Sequence, residues 1–93
     1  MSDLADELRK YIGRQVVIDT SGTLIYIGTL SDVGTHLLRL ENADVHDLAE
    51  SRTTREVYLY EAARIGIQPN RRAVMVRITQ IMSITALEDF GPF

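Results

Sequence analysis

The residues best equipped for chemistry in this sequence are arginines. Positions 51–93 carry six Lys/Arg, all of them arginines between Arg52 and Arg77, against four Asp/Glu, a local charge of +2. Positions 1–50 carry four Lys/Arg against nine Asp/Glu, a local charge of −5, so the formal net charge of −3 hides a segregated distribution. A guanidinium is a planar fork that fits phosphate or carboxylate. Arg64, Arg71 and Arg72 could therefore contact phosphates, or they could pair with Asp44, Asp47 and Glu50 and hold their own segment to the body. The string Asp44, Val45, His46, Asp47 offers metal-capable donors without a spacing that brings them onto one ion, and reads as a polar loop. There is no cysteine and there are only two histidines. With no Ser/His/Asp spacing and no phosphate-cradling glycine loop, the expectation is a protein that is not an enzyme and takes no metal or cofactor.

The elements that would position these groups come from a chain of 93 residues, 45% hydrophobic and 25% charged. That length gives one compact domain with a small core, so self-association would add materially to stability. No apolar run approaches the roughly 20 residues of a membrane span, and the N-terminal stretch is charged where a signal peptide would be apolar. The expectation is a soluble, cytoplasmic protein without membrane contact.

Leu4, Leu8, Tyr11 and Ile12 recur at helical spacing, which predicts an N-terminal helix over residues 1–12 with Ser2 as N-cap and Gly13 as terminator. Val16–Ile18 then reads as a strand. Thr23–Leu30 reads as a second strand bent at Gly28, and after a turn at Ser31–Thr35 a third strand covers His36–Leu40. Residues 44–70 interrupt this rhythm. Thr53 with Glu56 fits a capping box and Gly66 fits a helix C-terminus, so a helical insertion is favoured over a strand at Val57–Tyr60. Ala73–Arg77 and Gln80–Thr85 complete the set of strands, and residues 86–93 read as a frayed tail. The expected fold is mainly β: an N-terminal α-helix, then a strongly bent five-stranded antiparallel sheet forming a small open barrel, with a short helix inserted between strands 3 and 4.

This order of residues resembles the Sm-like superfamily, which includes the Sm and Lsm proteins and Hfq. The first motif of that family is matched by Leu8, Tyr11, Ile12, Gly13, Val16–Ile18, Gly22, Gly28, Leu30 and Leu38/Leu40. The second is matched by VMVRITQIMSIT, with Arg77 at the position of the family's arginine. The match covers residues 4–87 apart from the insertion, which falls in the family's variable loop. Two departures stand out. SDVGTHLLRL is one residue short of the family pattern and has no asparagine, and Arg77 is followed by Ile78 where the family has glycine.

The resemblance implies a homo-oligomeric ring of about five to seven subunits, closed by pairing the fourth strand of one subunit with the fifth of the next. Val74, Met75 and Val76 would then face Ile81, Met82 and Ile84 of a neighbour. It also implies single-stranded RNA as a partner, held by a remodelled base site at Asp32, Thr35, His36 and Arg77, with Arg71 and Arg72 on phosphates. The blander use of these groups pairs Arg77 with Asp32 and lets His36 merely start a strand. Two other outcomes fit the same residues: an Sm-fold scaffold for protein interaction that has lost RNA, and a dimer in which the inserted helix covers a sheet edge.

Overall fold

The computed structural model of the protein describes residues 4–91. Helix α1 spans Leu4–Arg9, strand β1 Gln15–Thr20, β2 Leu24–Val33, β3 Leu37–Asp47, helix α2 Arg55–Ile65, β4 Arg71–Arg77 and β5 Ile81–Ala86. The sheet is antiparallel in the order β4-β3-β2-β1-β5, so β4 and β5 are its two edges and do not pair with each other. The expected mainly β architecture is present, with the inserted helix between the third and fourth strands.

α1 is shorter than the sequence suggests. Regular helix ends at Arg9, and the chain continues through tighter turns to Gly13, whose φ of +89° is the left-handed geometry expected of a terminator. The Ser2 cap lies outside the described residues. Gly13 donates to the Leu30 carbonyl at 2.8 Å, and Leu30 donates to Arg14 at 3.0 Å. The helix end is thereby fastened to β2.

Two irregularities bend the sheet and decide which side chains face inward. Between Ile27 and Thr29 of β2 the pairing skips a residue of β3, and Asn42 takes up the slack at φ +49°. The bend expected at Gly28 is therefore real, and it comes from a bulge whose extra residue is on the partner strand. Leu38 and Leu40 point inward before that bulge and Ala43 after it, because one added residue inverts the alternation. A second shift between Leu30 and Asp32 does the same for β2, so both Leu30 and Val33 reach the inner core.

Both faces of the middle strands are covered. Val16, Ile18, Leu30, Leu38 and Leu40, all fully buried, form an inner core with Leu8 of α1. Val17, Ile25 and Ile27 point the other way, under Leu59 and Ala62 of α2. The unbroken apolar run Val16–Ile18 is thus explained: a strand buried on both faces does not alternate. Burying a side chain the size of Leu59 contributes about 1.5–3 kcal/mol, which secures the insertion to the sheet.

The insertion differs from expectation where it begins and at the start of its helix. β3 continues through Asp47, so residues 44–47 are strand and the excursion begins at Leu48. The helix cap is Thr54, not Thr53: its hydroxyl accepts from the Val57 amide at 3.3 Å, while Glu56 pairs with Arg55 at 2.8 Å instead of folding back. Gly66 closes the helix as expected, donating to the Ala62 carbonyl at 3.0 Å. The tail is not frayed through its described part. Leu87–Asp89 forms a 3₁₀ turn, Leu87 is buried beneath α2, and Glu88 pairs with Arg14 at 2.6 Å.

Candidate nucleic-acid interface at the strand-turn rim

The turn between β2 and β3 comprises Gly34, Thr35 and His36, closed by the Gly34 amide donating to the Leu37 carbonyl at 2.8 Å. The turn between β4 and β5 is a single 3₁₀ turn, Ile78–Gln80. The two meet. The Ile78 amide donates to the His36 carbonyl at 2.9 Å, and Arg77 is in register with Leu37. Ile78, where the Sm motif would have glycine, drives its side chain into the inner core and anchors the turn from below. That burial is the physical reason a large residue fits there.

Above this anchor, Thr35, His36 and Arg77 are all exposed. Arg77 makes no hydrogen bond or ion pair among the described residues, so its guanidinium stands uncommitted at the rim. Asp32 does not neutralise it. One Asp32 oxygen accepts from the Val33 amide at 2.9 Å, and Asp32 lies opposite Arg39 in the register. A shallow groove of about 280 Å³ runs from Thr35, His36, Ile78 and Thr79 to Leu4, Ala5 and Arg9 of α1. Arg9 was not among the residues expected at the site. It reaches the rim by donating to the Val33 carbonyl at 3.4 Å and is held by Asp6 at 2.7 Å. The only sequence signal for it is that the helix must lie across the sheet end to bury Leu8.

Arg71 and Arg72 lie elsewhere. They open β4, whose seven residues separate them from Arg77 by roughly 20 Å at the usual rise of about 3.3 Å per residue. Arg71 donates to the Asn70 carbonyl at 3.0 Å, and Arg72 is exposed without a partner among the described residues. The site expected from sequence therefore divides into a rim group and a separate basic pair. The ion pairs considered for Arg64, Arg71 and Arg72 with Asp44, Asp47 and Glu50 do not form among the described residues. The insertion is held instead by Arg55 on Asp19.

Of the six interface candidates, Val76 is buried in the inner core and Val74, Ile81 and Ile84 pack against it. Met75 and Met82, 50% and 71% exposed, are the apolar side chains that the two edges present outward. Any pairing along these edges would be carried by backbone groups, with the methionines as its apolar contact.

The Asp44–Asp47 string is part of β3, and its two carboxylates are already engaged, while the buried His46 Nε2 has no hydrogen-bond partner among the described residues. Asp44 accepts from the Tyr58 hydroxyl at 2.5 Å and from the Asn70 amide at 3.0 Å; Asp47 accepts from the Ala49 amide at 2.9 Å. His46 stacks on Tyr58 with ring centroids 3.9 Å apart and planes 13° from parallel. Burial and then the Asp44 hydrogen bond hold the Tyr58 hydroxyl well above its ordinary pKa. No group of three metal-capable side chains occurs among the described residues.

No protein-family model matches this sequence, and no curated protein matches it. Solved structures do match. The Sm protein of Pyrococcus abyssii in complex with a uridine heptamer is 12% identical, with a TM-score of 0.60 over 91% of this chain and 99% of that one. The SmAP1 heptamer of P. aerophilum is 19% identical, with a TM-score of 0.55 over 92% and 95%. A chain of the NatC complex bound to CoA is 18% identical, with a TM-score of 0.54 over 92% and 88%. The chain has the Sm-like fold: N-terminal helix, five bent antiparallel strands, and the rim built where the β2–β3 and β4–β5 turns meet. No helix among the described residues is long and apolar enough to cross a membrane.

Proposed function

We propose that this protein is a non-catalytic Sm-like subunit that assembles with copies of itself into a ring of about five to seven and binds single-stranded RNA at the rim, in the cytoplasm. The observation that carries the reading is the strand order. β4 and β5 are each paired on one side only, and two free antiparallel edges on one small domain are relieved together when each edge joins a neighbour's. Each subunit would then bring its Arg77, His36 and Thr35 to the ring, with Arg9 beside them, as a repeated cationic and stacking surface for bases and phosphates. The fold neighbours lend support, one crystallised as a heptamer and another with a uridine heptamer. A role in RNA metabolism or as an RNA chaperone would follow from such a surface. Arg71 and Arg72 would serve as a second, phosphate-only contact.

Native mass spectrometry of the complex purified without nuclease reads subunit count and bound nucleic acid together. A single-chain or two-chain mass would overturn the ring. Fluorescence anisotropy with short U-rich and A-rich RNAs tests the rim; binding no better than to an unrelated polyanion would overturn RNA recognition.

A second reading is favoured by the likeness to a chain of the NatC complex. Here the fold would serve as a scaffold for other proteins, consistent with the missing asparagine and glycine and with the acidic total. A specific protein partner recovered from native cells and resistant to nuclease would support it over the RNA-binding ring.

A further inference from the structure

We propose that the outward face of α2 is a docking surface for a second copy of this chain, the two helices packing antiparallel about a two-fold axis. The inference goes beyond the ring reading and uses neither sheet edge. Leu59 and Ala62 face the sheet, which leaves Tyr60, Glu61, Arg64 and Ile65 as an exposed stripe along the opposite side. These positions follow the i, i+1, i+4, i+5 pattern of one helix face. Ile65 is the most exposed large apolar side chain among the described residues, at 76%, and Tyr60 is 38% exposed.

The charges on the stripe are complementary to themselves. Arg64 donates to its own Tyr60 hydroxyl at 3.1 Å and lies 5.4 Å from that ring's centre, but it meets no carboxylate. Glu61 has no hydrogen bond or ion pair among the described residues. An antiparallel register that sets Glu61 against Arg64 of the second helix brings Tyr60 level with Ile65 as well, because both pairs sum to the same position along the axis; lying about 140° apart around the helix, Tyr60 and Ile65 flank the ionic contact on its two sides. The two-fold repeats the contact, giving two ionic pairs with a Tyr60 and an Ile65 on either side of them. A parallel two-fold pairing would instead oppose each residue to its own copy and so bring like charges together, and antiparallel helices also oppose their dipoles favourably.

Sedimentation velocity from micromolar to submillimolar concentration tests this on the full chain with Glu61→Arg, Arg64→Glu and the double reversal. The wild type is expected to at least double its particle mass with concentration. Each single reversal should weaken that association about tenfold or more, since both ionic contacts become repulsive. The double reversal should return to within about threefold of wild type, because the pairs are restored with opposite sense. Circular dichroism melts of all four proteins separate loss of contact from loss of the helix. A wild-type mass independent of concentration, single variants that associate like wild type, or a double variant as weak as the singles would each overturn the proposal. The ring is read independently, from the mass at the lowest concentration: a single chain there refutes the ring without touching the doubling.

Discussion

The Arg55 guanidinium grips the Asp19 carboxylate at two points, Nε to Oδ1 at 3.0 Å and Nη2 to Oδ2 at 2.6 Å. The same carboxylate accepts from the Ser83 hydroxyl at 2.9 Å, so one acid joins α2, β1 and β5. The hydrogen bonds to Asp19 hold the Arg55 pKa above its ordinary value, and the pair is partly shielded, with side chains 34% and 18% exposed. Arg55→Ala is expected to lower stability by about 1–2 kcal/mol, the range for a charge-assisted pair that solvent still reaches. Arg55→Lys should recover less than half, because an ammonium cannot reproduce the fork. Urea denaturation measures both, and an unchanged midpoint in Arg55→Ala would refute the role.

Tyr58 makes the insertion sensitive to alkaline pH. Its hydroxyl is held protonated by burial and by Asp44, so the folded-state pKa lies above the ordinary value of 10.0. A raised folded pKa contributes stability that is fully present below the unfolded value and is lost as pH rises above it. Tyr58→Phe should therefore cost about 1 kcal/mol at neutral pH, and the gap between the two proteins should shrink as pH climbs past about 10. Thermal melts at pH 7 to 11 decide it; parallel curves would exclude the linkage.

Gly28 sits where β2 crosses the Asn42 bulge. A methyl added there would meet the Ala43 Cβ and the Glu41 carbonyl oxygen, each at 3.1 Å, and two of its three nearest neighbours are backbone atoms. Gly28→Ala is expected to destabilise by about 1–3 kcal/mol through overpacking. Equal stability of the two proteins in chemical denaturation would show that the strands can part at this point.

Local signals read the strand sequence, the terminator at Gly13, the irregularity near Gly28 and the helix ended by Gly66, whereas the meeting of the His36 turn with Arg77 follows from the resemblance to the Sm-like family. What escaped them depends on partners distant in sequence. Asp44 and His46 looked like loop residues because the Asn42 bulge, which turns them toward α2, has no signature beyond an asparagine. Thr53 and Thr54 are equally good caps by type, and the capping-box spacing from Thr53 to Glu56 misleads because Glu56 turns to Arg55. Leu87 looked like the start of a loose tail because nothing nearby reveals that α2 will lie over it. At the rim, Arg9 was missed since its nearest strand contact, Val33, is 24 positions away.

Rim substitutions should separate binding from folding. The Arg77 side chain makes no hydrogen bond or ion pair among the described residues, so Arg77→Ala is expected to leave the melting temperature unchanged while weakening RNA binding about tenfold and lowering the salt slope by about one. His36→Ala should cost about 1–3 kcal/mol of binding through lost stacking. Anisotropy titrations at several salt concentrations check both, and unaltered affinity in Arg77→Ala would move the RNA site away from the rim.

The excursion that carries α2 leaves from one end of the eleven-residue β3, whereas the His36 turn lies at its other end. It is fastened by Arg55 to β1 and by Tyr58 and Asn70 to β3. α2 itself must stay to cover Val17, Ile25 and Ile27, but the exposed turn ahead of it around Arg52 lies away from the rim. Chain added at that turn leaves the rim its shape, which gives a protein engineer a grafting site and gives natural variation a place to diversify one copy of this fold from another.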